Sequence, residues 1–276
     1  RFDTVGALGL TAFLVCLLLA ATKASAWGFT SPTTLGLLAA ALLTGLAWGW
    51  YELRVGKPLI DLRVSARPTV LFANLAAMFI GFAFYANSLA TAQLVQEPRS
   101  TGYGLGVSIV VSGMCLLPGG LCMAALSPVS ARISMTRGPK TTVAVAAAVI
   151  AVGYGVRFFT SHQLWTIILG ATVVAAGTGL AYSALPLLLM QDVPLSETAA
   201  ANGLNTLMRM IGQSMSSAVS AAVLAGLTMN VGGRTAPTLH AYLVIFMFAA
   251  AGAVIALLLT LLVPTRTAKP KVLVPA

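Results

Sequence analysis

Charge is what this chain has least of. Only 8% of its 276 residues are Asp, Glu, Lys or Arg, against roughly 25% in an average soluble domain. So few charges cannot cover the surface of a soluble fold of this size, and 58% hydrophobic residues with a mean hydropathy of +0.94 read as a polytopic membrane protein. Acids are scarcest, six in all: Asp3, Glu52, Asp61, Glu97, Asp192 and Glu197. Each falls at a predicted helix end or in a loop, so no mid-membrane carboxylate is available as a proton relay. The three cysteines, Cys16, Cys115 and Cys122, sit inside apolar runs and read as free buried thiols rather than metal ligands or a disulfide framework. Two histidines far apart, His162 and His240, leave no catalytic constellation, and no glycine-rich phosphate loop is present. The expectation is a protein that is not an enzyme and holds no metal or cofactor.

The net charge of +10 does not mark a nucleic-acid binder, because the basic residues are dispersed between apolar runs. A spanning helix needs about 20 mostly apolar residues, and eight stretches qualify: 5–21, 33–51, 69–93, 105–126, 141–159, 164–190, 198–227 and 239–263. Long runs rich in Ala and Leu, without alternation, argue against strands. Arg1, Arg54, Lys57, Arg63, Arg67, Arg132, Arg137, Lys140, Arg266, Lys269 and Lys271 fall on the side of the N-terminus; Lys23, Arg99, Arg157 and Arg234 fall opposite. That bias predicts a multi-pass protein of the cell membrane with both termini cytoplasmic. The segment ELRVGKPLIDLRVSARP is expected to run along the cytoplasmic interface, with Leu59, Ile60 and Leu62 dipping toward lipid. It divides the chain into two helices (1–51), a link (52–68), six helices (69–264) and a tail (265–276).

One base, Arg209, lies inside an apolar run, in NGLNTLMRMIGQSMSS. It sits about 11 residues into the seventh run, roughly 16 Å deep in a ~30 Å core, where a charge costs at least ~2.5 kcal/mol. Asn202, Asn205, Arg209, Gln213, Ser216 and Ser220 are spaced by 3, 4, 4, 3 and 4, which puts them on one helical face. Such a stripe must face protein or water. It either lines a substrate path or glues helices together. A weaker stripe on the third run comprises Asn74, Met78, Gly81, Tyr85 and Ser88, with Phe72, Phe79, Phe82 and Phe84 around it. That mixture suits a pocket for bulky apolar molecules, and equally an ordinary packed face. Pro118, Gly119 and Gly120 within LLPGG, and Pro186 further on, mark candidate helix hinges or tight packing. The stretch SPVSARISMTRGPK reads as a loop in which Arg132, Arg137, Gly138 and Lys140 form either positive-inside charge or a conformational latch.

Taken in order, RFDTVGALGLTAFLVCLLLA, ELRVGKPLIDLRV, TGYGLGVSIVVSGMCLLPGGL, SPVSARISMTRGPK and ETAAANGLNTLMRMIGQSMSSAV resemble the C-terminal part of the fourteen-helix drug:proton antiporters of the major facilitator superfamily. The resemblance covers the chain to about Pro264 and implies helices seven to fourteen, an extra central pair followed by the second six-helix bundle. It implies export of small hydrophobic or cationic compounds, driven by the proton gradient, between this bundle and a missing N-terminal six-helix bundle. An opening in RFDTVG, without Met, is expected of a chain starting in mid-protein. Thr136 stands before Arg137 where the first-half copy of the motif frequently has an acid. The competing expectations are a non-transporting membrane subunit that needs a partner bundle, and a carrier of the same fold for a lipid or a metabolite.

Overall fold

The computed structural model describes residues 3–28, 30–56, 66–160, 163–194 and 197–264. The chain is 84% helical, an all-α integral membrane protein. Its long helices are α1 (Thr4–Trp27), α2 (Pro32–Glu52), α3 (Pro68–Gln96), α4 (Ile109–Arg137), α5 (Pro139–Thr160), α6 (Leu164–Leu189), α7 (Thr198–Gly226) and α8 (Leu239–Leu262). Their starts carry local signals. Asp3, Ser31, Ser108 and Thr238 accept a backbone N–H in the first turn of α1, α2, α4 and α8, and Pro32 and Pro68 open α2 and α3.

Six of the eight, all but α1 and α7, are long and apolar enough to cross a membrane by length and composition. All eight expected runs are helical, and two of them fall short of that measure. The apolar part of α1 within the described residues is the shorter Thr4–Ala20, and α7 is diluted by its polar stripe. One correction concerns SPVSARISMTRGPK. It is not a loop: α4 continues through Pro128 to Arg137, and only Gly138, at φ 86°, separates it from α5. A helix end needs a residue tolerant of positive φ, and glycine supplies it. A second correction is a short hairpin of β1 (Thr228–Val231) and β2 (Arg234–Pro237), paired Val231 to Arg234 and Thr228 to Pro237. Its two-residue turn is Gly232–Gly233, both at positive φ, as the turns that match strand twist require. The central part of the expected interfacial link, 57–65, and the tail 265–276 lie outside the described residues.

The core sits where α3, α5, α6 and α8 meet. Small residues let these backbones close up: Ala73, Ala76, Ala77, Ala83, Ala86 and Ala90 of α3 are all fully buried. By contrast α2 and α4 expose Leu42, Leu43, Leu46, Ile109, Leu117 and Leu121, a face suited to hydrocarbon or to further protein. Polar ties fix which helix ends share a side. On the side of the N-terminus, Lys140 Nζ donates to the carbonyls of Leu261 (2.9 Å) and Val263 (2.5 Å), and Arg67 Nη1 donates to the Asp192 carbonyl (2.7 Å). On the opposite side, Tyr103 Oη donates to the Pro237 carbonyl (2.5 Å) and Tyr242 Oη to Glu97 Oε1 (3.0 Å).

Candidate functional site

The polar stripe of α7 divides when folded. Asn205, Ser216 and Ser220 are buried. Asn205 Nδ2 donates to Asn74 Oδ1 at 3.0 Å, so two of the expected path residues form an amide tie between α7 and α3. The helices cross closely there, because Gly81 lies against the backbone of Arg209 and Gly212 against the carbonyl of Met78, with no room for a Cβ at either. Arg209 and Gln213 are only half-buried. Arg209 Nη2 donates to Thr206 Oγ1 at 3.0 Å, and the guanidinium stands 4.4 Å from the centre of the Tyr182 ring. Its Nε is buried with no hydrogen bond among the described residues. Gln213 lies beside the Tyr182 hydroxyl. The charge is thus offset partly by a π face and partly by a hydroxyl.

Tyr182 meets Phe84 edge-to-face at 5.9 Å between centroids. Phe84 borders a cavity of about 140 Å³ between α3, α4 and α6, lined also by Asn87, Ser88, Cys115, Gly119 and Met123. Ser88 donates to the Phe84 carbonyl at 3.2 Å. Tyr85 is half-buried nearby on α3. Of the expected hinge residues, Gly119 is buried against Ala175, Pro118 lies within an unbroken α4, and the Pro186 carbonyl accepts from Met190 N. Arg209, Tyr182, Phe84 and the cavity therefore form a line from α7 through α6 to α3 and α4. Asn74, Asn205 and Ser216 stand apart from it, in helix packing. Of the loop motif, Arg132 and Arg137 are exposed, and Lys140 holds the C-terminal end of α8.

Behind the cavity lies a site that sequence reasoning missed. Arg157, counted at sequence level among the bases at the membrane edge opposite the N-terminus, stands in the last turn of α5 and is 1% exposed. Its Nη1 donates to Asn87 Oδ1, its guanidinium lies 4.1 Å from the Phe246 ring centre, and its stem packs on Gly170. Asn87 Nδ2 donates in turn to the Ala171 carbonyl at 3.1 Å, and Tyr154 Oη to the Ala83 carbonyl. The signal was present: Arg157 is flanked by Val156, Phe158 and Phe159, and glycines at 153 and 155 thin the helix before it. On the opposite side that leaves Lys23, Arg99 and Arg234 as the expected flanking bases.

No family model matches the chain. Among curated proteins it is 25% identical over 226 residues to the multidrug resistance protein Stp of Mycobacterium tuberculosis, covering 82% of this chain and 41% of that one. It is 28% identical over 236 residues to the tetracenomycin C resistance and export protein of Streptomyces glaucescens, covering 81% and 41%. It is 24% identical over 242 residues to a tetracycline resistance determinant of Streptomyces rimosus, covering 86% and 67%. The chain thus spans about two fifths of the length of the first two relatives, and all three are named for drug resistance or export.

Proposed function

We propose that this chain is the C-terminal part of a membrane exporter of small amphipathic or cationic compounds, of the fourteen-helix drug:proton antiporter type. The observation that carries the reading is similarity along four fifths of the chain to proteins named for multidrug resistance and for antibiotic export, each of the first two more than twice as long as the matched region. In this reading residues 1–51 form the additional helix pair, 52–68 the cytoplasmic link, 69–264 the second bundle and 265–276 a cytoplasmic tail in the cell membrane. A first bundle of six helices completes the substrate path. The proton gradient supplies the energy, and the carboxylate that couples it belongs to that first bundle, since the acids of this chain stand at helix ends.

Arg209 is the residue on which the reading places most weight. It is a half-buried cation deep in α7, facing an aromatic ring that leads to a cavity. Such a group can attract an acid of the missing bundle in one conformation and release it in another, the kind of differential contact that alternating access needs.

The test is ethidium efflux from energised, efflux-deficient bacteria that produce the complete polypeptide. Export is expected to stop on adding a protonophore. It is also expected to stop in Arg209→Ala, with an unchanged amount of protein in the membrane. Absence of gradient-dependent efflux by the complete wild-type polypeptide sinks the reading, and wild-type efflux by Arg209→Ala removes the role given to that residue.

A further inference from the structure

Of the five acids among the described residues, Asp3, Glu52, Asp192 and Glu197 lie on the side of the N-terminus and Glu97 on the opposite side, at the C-terminal end of α3. That single carboxylate lines a second cavity, of about 350 Å³, together with Gln93, Gln96, Leu224 and Pro237. The volume falls at the lower end of the range for small-molecule sites.

Two groups of the cavity wall, Glu97 and Gln96, are held as acceptors. Tyr242 Oη donates to Glu97 Oε1 at 3.0 Å, which fixes the carboxylate and leaves Oε2 as its second acceptor. Both amide hydrogens of Gln96 are committed, Nε2 donating to the Ala92 carbonyl at 2.7 Å and to Ser112 Oγ at 3.1 Å, so its Oε1 is an acceptor as well. Leu224 supplies apolar surface from the last turn of α7. α3 and α7 both end here, and the partial negative charge of two helix C-termini adds to that of the carboxylate. Behind it the rings of Tyr103 and Tyr242 stand 5.9 Å apart. Burial, with Glu97 beside it, pushes the Tyr103 phenol up to about 12, so it stays a donor to the Pro237 carbonyl. The nearby bases are turned to other work or to solvent: Arg99 Nε donates to the Leu105 carbonyl at 3.2 Å, and Arg234 and His240 are exposed.

We infer that the cavity at Glu97 is a binding site for an organic cation, an apolar body with a single delocalised positive charge, held by the carboxylate and the Gln96 side-chain carbonyl. It lies on the side opposite the N-terminus, has about 350 Å³ against about 140 Å³ for the cavity at Phe84, and shares no lining residue with it. Its place as an exit vestibule rests on the export reading; the binding itself does not, and needs no gradient.

The experiment measures the Kd of tetraphenylphosphonium, and of the uncharged triphenylphosphine oxide, on the complete polypeptide in nanodiscs without a gradient. Glu97→Gln is expected to raise the Kd for the cation about tenfold and to leave that of the neutral compound within about twofold. An unchanged cation Kd overturns the inference, and so does an equal loss for both ligands, which would point to packing rather than charge. If Glu97→Gln fails to accumulate, Gln93→Cys in a background lacking Cys16, Cys115 and Cys122 replaces it. Protection of that thiol from a cationic, membrane-impermeant thiosulfonate by tetraphenylphosphonium supports the site, and no protection overturns it. A protein that binds the cation here yet exports nothing would fail the proposed function and keep this site.

Discussion

Asn87 bridges three helices: from α3 it accepts from Arg157 Nη1 of α5 and donates to the Ala171 carbonyl of α6. Its amide is therefore the partner of a buried cation and part of the wall of the cavity at Phe84. A buried charge that loses a hydrogen-bond partner costs more than the bond was worth. Asn87→Leu is expected to destabilise the protein by ~1.5–3 kcal/mol, read as a fall in the thermal midpoint of detergent-solubilised protein. The double variant Asn87→Leu with Arg157→Met should recover much of the loss, because it removes the charge as well as its partner. Additive losses in the double variant would show that the two side chains do not act together.

The crossing of α3 and α7 gives a sharper contrast. A Cβ at Gly212 would overlap the Met78 carbonyl, whereas one at Gly113 or Gly203 meets nothing within 4 Å. Gly212→Ala must push two backbones apart and is expected to cost ~1–3 kcal/mol. Gly203→Ala and Gly113→Ala gain helix propensity and should be neutral or stabilising by up to ~1 kcal/mol. Monodispersity and melting of the three variants decide it, and equal behaviour would mean that α3 and α7 are not this close.

Lys140 separates structural from conformational charge in the motif. Its ammonium closes the C-terminal carbonyls of α8, while Arg132 and Arg137 are exposed. Lys140→Met is expected to lower stability by ~0.3–1 kcal/mol, the usual worth of a cation at a helix C-terminus. Arg132→Gln and Arg137→Gln should leave the melting midpoint unchanged. A loss of efflux in either arginine variant at full stability would assign it to the transport cycle.

The helices were legible in the sequence because run length is a direct physical demand of the bilayer. Residues 164–190 and 198–227 were expected to be helical, and α6 and α7 are Leu164–Leu189 and Thr198–Gly226. Where the sequence misled, the cause was local. Pro128 and three bases made the end of α4 read as a loop, yet a helix that leaves the apolar layer has no reason to stop there. The hairpin followed from Gly232 and Gly233, a turn signal set inside a stretch too short for any pattern of alternation. Arg157 stands three residues before the end of α5 and was taken for a flanking charge; only tertiary packing against Gly170 and Phe246 draws it inward. The face of α7 was legible from spacing alone, but its division into a packed part and an open part depends on where α3 and α6 lie.

The open part of that face supports the last prediction. The Arg209 guanidinium stands 4.4 Å from the Tyr182 ring centre, and Tyr182 reaches Phe84 and the cavity beyond it. A planar guanidinium stacks on a ring in a way that an ammonium does not, and a π face offsets a cation by ~0.5–2 kcal/mol depending on how far water is excluded. Three variants divide these contributions. Tyr182→Phe keeps the ring and should retain most ethidium efflux. Tyr182→Leu loses the ring and should lower efflux several-fold, with the protein still present in the membrane. Arg209→Lys keeps the charge without the stacking plane and should fall between wild type and Arg209→Ala. If Tyr182→Leu transports like wild type, the ring only fills space between α6 and α7. If Arg209→Lys does, the charge alone matters, and the line from α7 to the cavity is packing rather than a path.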